Sequence, residues 1–368
     1  MRILLVSGSM PPMRCGVGDY TAALASALAH DGDNHVAVLT SRSADRHPGL
    51  SYEVLPCIER WDLREATTIW RVFRQWKPDV VHFQYPTQGY DDRLLASLIP
   101  LLAWMAGATS IRTWHEAFSG RQSVTFLLQS IAPGPRIVVR PNFRALMWRW
   151  LRPMLGPRAT MIAGASSIPL SSLNRSERHE RRNSCAGSAD RLVVFFGFLL
   201  PAKGVEQLFE IAEPARDTLV IAGEADADPD YAAKIKALAA SDIWSDRSRL
   251  AGFLPASDTA DLLAIADVVV LPFVTGGGSW NSSISAALLQ GTPVVTTSRE
   301  RHGLDDTGQV YFAEPNNIAD IKYGMTIVKR REPDDARDTL LNGEWARIRD
   351  DHLNVYRGAS NPRARDMA

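Results

Sequence analysis

The chain has 368 residues, 45% of them hydrophobic, and its 41 lysines and arginines balance 41 aspartates and glutamates, so the formal net charge is zero. That length suits two α/β domains, each able to bury its own core, and the balanced charge excludes a global field that would draw the chain to nucleic acid. Cys15, Cys57 and Cys185 lie far apart, which excludes a zinc pattern and a disulfide framework and points to a reducing cytoplasm.

Met1 to Ser7 has one basic residue and an apolar run too short for a signal-peptide core, so it reads as a first strand. Behind it, Pro11 to Thr21 carries Gly16 and Gly18 ahead of a helix over Ala22 to Ala29. Glycines there let backbone N–H groups approach an anion, although a plain strand-to-helix turn explains them equally well. Leu94 to Ile111 approaches membrane-spanning length but is broken by Pro100 and Gly107, and reads as a buried helix followed by a strand. Short apolar runs at Ile3–Ser7, His35–Thr40, Asp79–Gln84, Thr109–Trp114, Ile137–Arg140 and Thr160–Ala163 alternate with helical patterns, which implies βα units and a parallel sheet. Within Arg136 to Arg152, Arg140, Arg144, Arg149 and Arg152 are interleaved with Phe143, Trp148 and Trp150. Two readings stand for this stretch: a helix resting on an anionic membrane, or a core-packed helix with a solvated basic edge.

From 171 to 190 the composition turns polar, as in an exposed connection, which places a first domain at 1–170 and a second at 191–343. The second series of strands is Leu192–Phe196, Thr218–Ala222, Leu250–Phe253, Val268–Leu271, Val294–Thr297 and Gln309–Phe312. Two doubly wound sheets in tandem would face each other across a cleft, with ligands at the carboxyl ends of their strands. After Phe196 comes Gly197 to Gly204, where Lys203 at a helix start calls for an anionic partner such as a diphosphate, or stands as a solvated surface lysine. The stretch Leu271 to Thr297 runs through Gly276, Gly277 and Gly278, then Ser279, Asn281, Ser282 and Ser283, then Gly291-Thr292-Pro293 into the next strand. Free N–H groups, hydroxyls and an amide at a helix start can cradle phosphate and sugar hydroxyls, whereas capping by Ser279 alone would need one of them. Apolar residues at Trp345, Ile348, Leu353 and Tyr356 predict a closing helix over 344–358.

In their shared order, Pro11 to Thr21, Pro78 to Tyr85, Thr113 to Glu116, Ala165 to Pro169, Gly197 to Gly204, Ala222 to Glu224, Ala266 to Pro272 and Gly291 to Thr297 resemble the family 4 retaining glycosyltransferases of the GT-B fold. That resemblance implies a glycosyltransferase built from two Rossmann-like domains, with the last helix crossing back to the first. Its donor would be a nucleotide sugar such as a UDP- or GDP-sugar, and its acceptor a glycan, lipid-linked or small molecule, in polysaccharide or glycoconjugate biosynthesis. No cofactor is implied; no metal is expected either, on the ground that no acidic Asp-x-Asp cluster precedes the Gly-rich loops, and the place of work is the cytoplasm or the inner face of its membrane.

The same resemblance assigns His115 and Lys203 to catalysis. It places Lys203 and Gly16 at the donor phosphates; with them Gly197, Gly223, Glu224, Phe253, Leu254, Thr275, Gly278, Ser279, Asn281, Ser282 and Ser283 are candidates for the donor, and Asp19, Tyr20, Gln84, Tyr90 and Glu116 for the acceptor. Two departures matter. The family's arginine after the glycine matched by Gly197 is Phe198 here, and its two glutamates fall on Gly278 and Ala286, with no Glu anywhere from Ala225 to Arg299. The Ser279 to Ser283 cluster is expected to take over part of the glutamates' work on the donor. Loss of those groups also motivates a degenerate, binding-only protein, and a nucleotide-sugar epimerase would need Glu116 and Glu224 as its acid and base.

Overall fold

The computed structural model describes residues 1–368 apart from 31, 47, 48, 117, 119–121, 142, 156–158, 226, 227, 279, 332–336 and 361–368. It consists of two compact units, Met1–Gly164 with the stretch from Asn342 onward, and Ala165–Leu341. The first holds a seven-stranded sheet in the order β3-β2-β1-β4-β5-β6-β7. Its strands are β1 (Arg2–Val6), β2 (His35–Ser41), β3 (Glu53–Ile58), β4 (Val80–Tyr85), β5 (Thr109–Trp114), β6 (Arg136–Val138) and β7 (Ala159–Met161), and every pairing is parallel. The second holds β8 (Arg191–Phe196), β9 (Asp217–Ala222), β10 (Ser248–Gly252), β11 (Val268–Leu271), β12 (Val294–Thr297), β13 (Gly303–Leu304) and β14 (Val310–Ala313), in the order β10-β9-β8-β11-β12-β14-β13. Only β13 runs antiparallel, against β14.

These are α/β units because their strands have no polar face. Ile3, Leu4, Leu5 and Val6 are all completely buried, as are Val269, Val270 and Leu271, which requires helices on both sides of each sheet. In each sheet the winding reverses beside the first strand, at β1 and β4 in one and at β8 and β11 in the other. The loops that leave such a pair diverge and open a crevice at their carboxyl ends.

Two strands escaped the sequence reading. β3 contains Pro56 and Cys57 and is an edge strand, where proline's missing N–H costs no ladder bond. β13 has only two residues. The supposed connection at 171–190 is also different: it holds a helix, Arg175–Ala186, inside the second unit. Its polar composition is that of a solvated helix, started by a capping box in which Asn174 accepts from the Glu177 N–H and Glu177 from the Asn174 N–H.

The last helix, Arg337–Ser360, packs on the first sheet through buried Ile348, His352, Leu353 and Tyr356. A buried cation also helps hold that unit. The Arg112 guanidinium donates to the carbonyls of Gln129, Ala132 and Pro133 at the end of the helix Gln122–Ile131. Carbonyl ends of a helix carry partial negative charge, which compensates the burial of Arg112 without a carboxylate.

Candidate functional site

At the first sheet's switch point the loops after β1 and β4 meet backbone to backbone. A Cβ on Gly89 would stand 1.9 Å from the Gly8 carbonyl oxygen, and one on Gly8 would stand 2.5 Å from Thr87 Oγ1. Neither glycine was singled out from the sequence, since their contact joins positions far apart in the chain. In the helix Gly16–Ala29, Gly18 is needed, because its Cβ would lie 2.9 Å from the Ser9 carbonyl oxygen. Gly16 faces open space, with no atom within 4 Å of that position.

A chain of polar contacts crosses this end of the sheet. Gln84 Oε1 accepts from His115 Nε2 at 2.8 Å, while the Gln84 amide nitrogen lies 3.2 and 3.4 Å from the two ring nitrogens of His82. His82 in turn has Thr113 Oγ1 at 2.7 Å on Nε2 and the Tyr356 hydroxyl at 2.7 Å on Nδ1. The ring of Tyr20 stands edge-on to His115, with centroids 5.0 Å apart, and is backed by Trp345. Burial, with the nearby His352, holds the His115 pKa down to about 3, and burial puts His352 at about 4. His115 is therefore neutral at physiological pH. Since its Nε2–H is given to Gln84, its Nδ1 is left as a lone-pair acceptor. Asp19 is shifted the other way by burial, up to about 6. Perturbed groups gathered in one place are the expected mark of a working site.

Not all residues assigned to the acceptor can touch one. Tyr90 is buried among Trp61, Phe83 and Tyr85 and its hydroxyl donates to the Val6 carbonyl, so it belongs to the core. Gln84 is completely buried and acts through His115. Tyr20 is buried too, with its hydroxyl enclosed and unpartnered. Asp19 is half-buried, and Glu116 is exposed, 3.6 Å from Arg140.

In the second unit the strand ends are shaped by backbone. Gly197 has φ +151, and its N–H donates to the Ala222 carbonyl, as that of Gly223 donates to Gly252. A Cβ on Gly223 would lie 1.8 Å from the Gly197 carbonyl oxygen, so no other residue fits there without moving backbone. Gly204, at φ +64, presses its turn against β11, where a Cβ would stand 2.3 Å from the Pro272 carbonyl oxygen. That turn presents Lys203, whose Nζ lies 4.8 Å from the centre of the Phe273 ring. The Val274 N–H donates to the Ala202 carbonyl and ties the lysine turn to the glycine loop. Phe198, in place of the family's arginine, is half-buried.

The glycine loop is held from both sides. Gly277 N–H donates to the Thr297 carbonyl, and Gly278 N–H to Asn281 Oδ1 at 2.9 Å. Asn281 is the N-cap position of the helix Ser282–Leu289 but makes no side-chain cap bond, because its oxygen braces the loop. Ser283 faces Gly197, its Oγ 3.8 Å from where a Cβ would be. Ser282 and Thr275 are exposed, and Ser279 lies outside the described residues. Phe253 and Leu254 follow β10, with the Phe253 ring 49% exposed. Glu224 is half-buried and its carbonyl accepts from Leu199 N–H.

The two positions matched to the family's glutamates are sterically closed: a Cβ on Gly278 would strike the Trp280 ring at 2.1 Å, and Ala286 is completely buried. Contrary to the expectation that no Asp-x-Asp cluster precedes the Gly-rich loops, such a spacing runs from Asp226 to Asp230, and Asp228 is the N-cap of the helix Pro229–Ala239, accepting from Tyr231 N–H. Among the described residues no three His, Cys, Asp or Glu side chains stand together as metal ligands.

The geometry has known parallels. The family described as glycosyl transferases group 1 matches residues 190–326, and the glycosyl transferase 4-like domain matches residues 15–163. A comparison with curated proteins finds no match. Among solved structures, a glycosyltransferase from Rickettsia africae is similar with a TM-score of 0.68 at 13% identity, over 98% of this chain and 99% of that one. HepE from Anabaena, in complex with UDP and glucose, is similar with a TM-score of 0.67 at 15% identity, over 97% of each chain. A sucrose-phosphate synthase from Thermosynechococcus elongatus gives 0.64 at 16% identity, over 99% of this chain and 96% of that one.

Proposed function

The chain belongs to the family 4-like glycosyltransferases of the GT-B fold, and from that premise we propose that it transfers a sugar, with retention, from a UDP-sugar held by its second unit. The observation that carries this reading is the cradle at the ends of β8 and β11. Gly204 and Gly223 let the loops at these strand ends pack backbone to backbone, Lys203 supplies a cation, and the helix Ser282–Leu289 starts beside the glycine loop without a side-chain cap. A diphosphate is the ligand whose charge answers the lysine and the helix start. UDP complexes of HepE, alike in fold, support uridine as the base.

In this reading Lys203 and the helix start stabilise charge as it develops on the leaving diphosphate. A phosphate oxygen of the donor takes the acceptor proton. Neutral His115, its ring fixed by Gln84, offers Nδ1 to a sugar hydroxyl at the strand ends of the first unit. The acceptor is a glycan, lipid-linked or small molecule, in polysaccharide or glycoconjugate synthesis.

One observation favours a second reading, a binding protein without turnover: Ala286 is completely buried, and the Trp280 ring stands where a side chain on Gly278 would begin. Melting curves with UDP, GDP and ADP separate the possibilities, since a ligand at a hundred times its Kd stabilises by about 2.7 kcal/mol. Stabilisation by UDP together with transfer from a UDP-sugar, the product anomer read by NMR, supports the transferase. Stabilisation with neither hydrolysis nor transfer supports the binding protein, and no stabilisation by any nucleoside diphosphate removes the donor site.

A further inference from the structure

Between Glu116 and Glu177 the sequence contains no acidic residue and eight arginines, in a chain whose overall charge is zero. The structure does not make one helix of the basic, aromatic part. β6 ends at Val138, and two four-residue helices follow, Phe143–Leu146 and Arg152–Leu155, joined by a turn. Phe143, Met147 and Leu151 are buried in the core of the first unit and anchor this turn at every fourth residue. Between these anchors, Leu146, Trp148 and Trp150 are 47%, 47% and 55% exposed, and the two indole rings lie 6.1 Å apart.

The four arginines divide by task. Arg152 donates to the carbonyls of Met147 and Ala145 and pins the turn from behind, and Arg140 is beside Glu116. Arg144 and Arg149 are exposed next to the tryptophans.

We propose that the turn Arg144–Trp150 docks the first unit on an anionic lipid surface, the indoles entering the headgroup layer and the two guanidinium groups binding lipid phosphates. This goes beyond the transfer reading and does not depend on it. Tryptophan's amphipathic ring sits at the membrane interface, and arginine is drawn by the negative potential of anionic lipid. The absence of carboxylates along this stretch leaves that attraction unopposed. Two indoles and a leucine on one turn make a small wedge, well below the roughly 800 Å² per partner of a standard protein interface. Among the described residues no helix is long and apolar enough to cross a membrane, so such contact is at the surface.

Flotation of the full chain with phosphatidylcholine vesicles, with and without phosphatidylglycerol, tests the proposal. Flotation is expected with the anionic vesicles and not with the neutral ones. Replacing both arginines, R144Q with R149Q, is expected to weaken it about thirtyfold, at about 1 kcal/mol for each charge near the surface. The pair W148A with W150A is expected to abolish it. The melting temperature and its rise with UDP, measured on both variants, show that they fold and keep the donor site. Wild-type protein that stays unbound, binds both vesicles equally, or floats undiminished after either double change overturns the proposal. If the wild type stays unbound while UDP still stabilises it, the surface fails and the donor site stands.

Discussion

Two carboxyl-terminal sheet edges in one chain have been prepared in different ways. In the first unit, side chains at the strand ends are buried and bonded to one another, from Tyr356 through His82 and Gln84 to His115. Close glycine contacts serve both units, at Gly8 and Gly89 in the first and at Gly204 and Gly223 in the second, but the second has no such buried side-chain chain among its described strand ends. The first arrangement fixes the protonation and direction of one imidazole, and the second packs its loops backbone to backbone, with the glycine N–H groups given to neighbouring carbonyls. A network of side chains answers to pH, whereas a glycine-built cradle answers to added volume.

Acidification should separate the units most strongly. Histidines held neutral by burial favour the folded state fully above about pH 6.5, and that contribution is lost as pH falls to the folded values of about 3 and 4 for His115 and His352. Asp19, raised to about 6, acts in the opposite sense between pH 6 and 4, as does Glu344, also raised by burial. With His82, also held well below its ordinary value by burial, three histidines outweigh Asp19, and the expected net loss at pH 5 relative to pH 7.5 is on the order of 4 kcal/mol. The second unit's His179 and His302 are exposed. Calorimetry across this range should show one transition falling and the other holding; transitions that move together would break the contrast.

Gly223→Ala should cost about 3 kcal/mol, because the added carbon meets a backbone oxygen that cannot turn aside. Gly16→Ala, into open space, should leave melting unchanged, and equal effects would mean that strand ends in the second unit are as pliant as those in the first.

Lys203→Ala should weaken UDP binding by about 1.5 to 3 kcal/mol while leaving uridine binding as it was. Titration calorimetry with both ligands checks this, and parallel losses would take the lysine away from the phosphates.

The smallest effect is expected at Asn281. Its replacement by Ala removes the brace on Gly278 and should lower stability of the second unit by about 1 kcal/mol, with donor affinity reduced modestly. By sequence Asn281 is a candidate donor contact; in the structure its side-chain oxygen is taken by the loop itself. Unchanged melting with reduced affinity would restore the earlier reading.

Much of the fold was legible, because near-continuous Val, Ile and Leu runs admit few arrangements other than buried parallel strands. Thr109–Trp114, Val268–Leu271 and Val294–Thr297 lie where the sequence places them. Polar residues inside such runs were harder. Gln84 and Tyr90 sit in or just after a strand and resemble ligand contacts by type, yet a strand buried on both faces encloses its polar groups too. Glycine roles at Gly197, Gly204 and Gly223 were readable as backbone demands, whereas the Gly8 to Gly89 contact and the cation of Arg112 at a helix end depend on neighbours remote in sequence.

The closing helix sets an order of events during synthesis. Tyr356 is joined to the ribosome's growing chain 274 residues after His82, its hydrogen-bond partner, and the whole of the second unit is made in between. A nascent chain can therefore complete its later sheet while the earlier one still lacks a helix. Until that helix arrives, His82 and the surface that Ile348, Leu353 and Tyr356 cover remain open to water or to a chaperone.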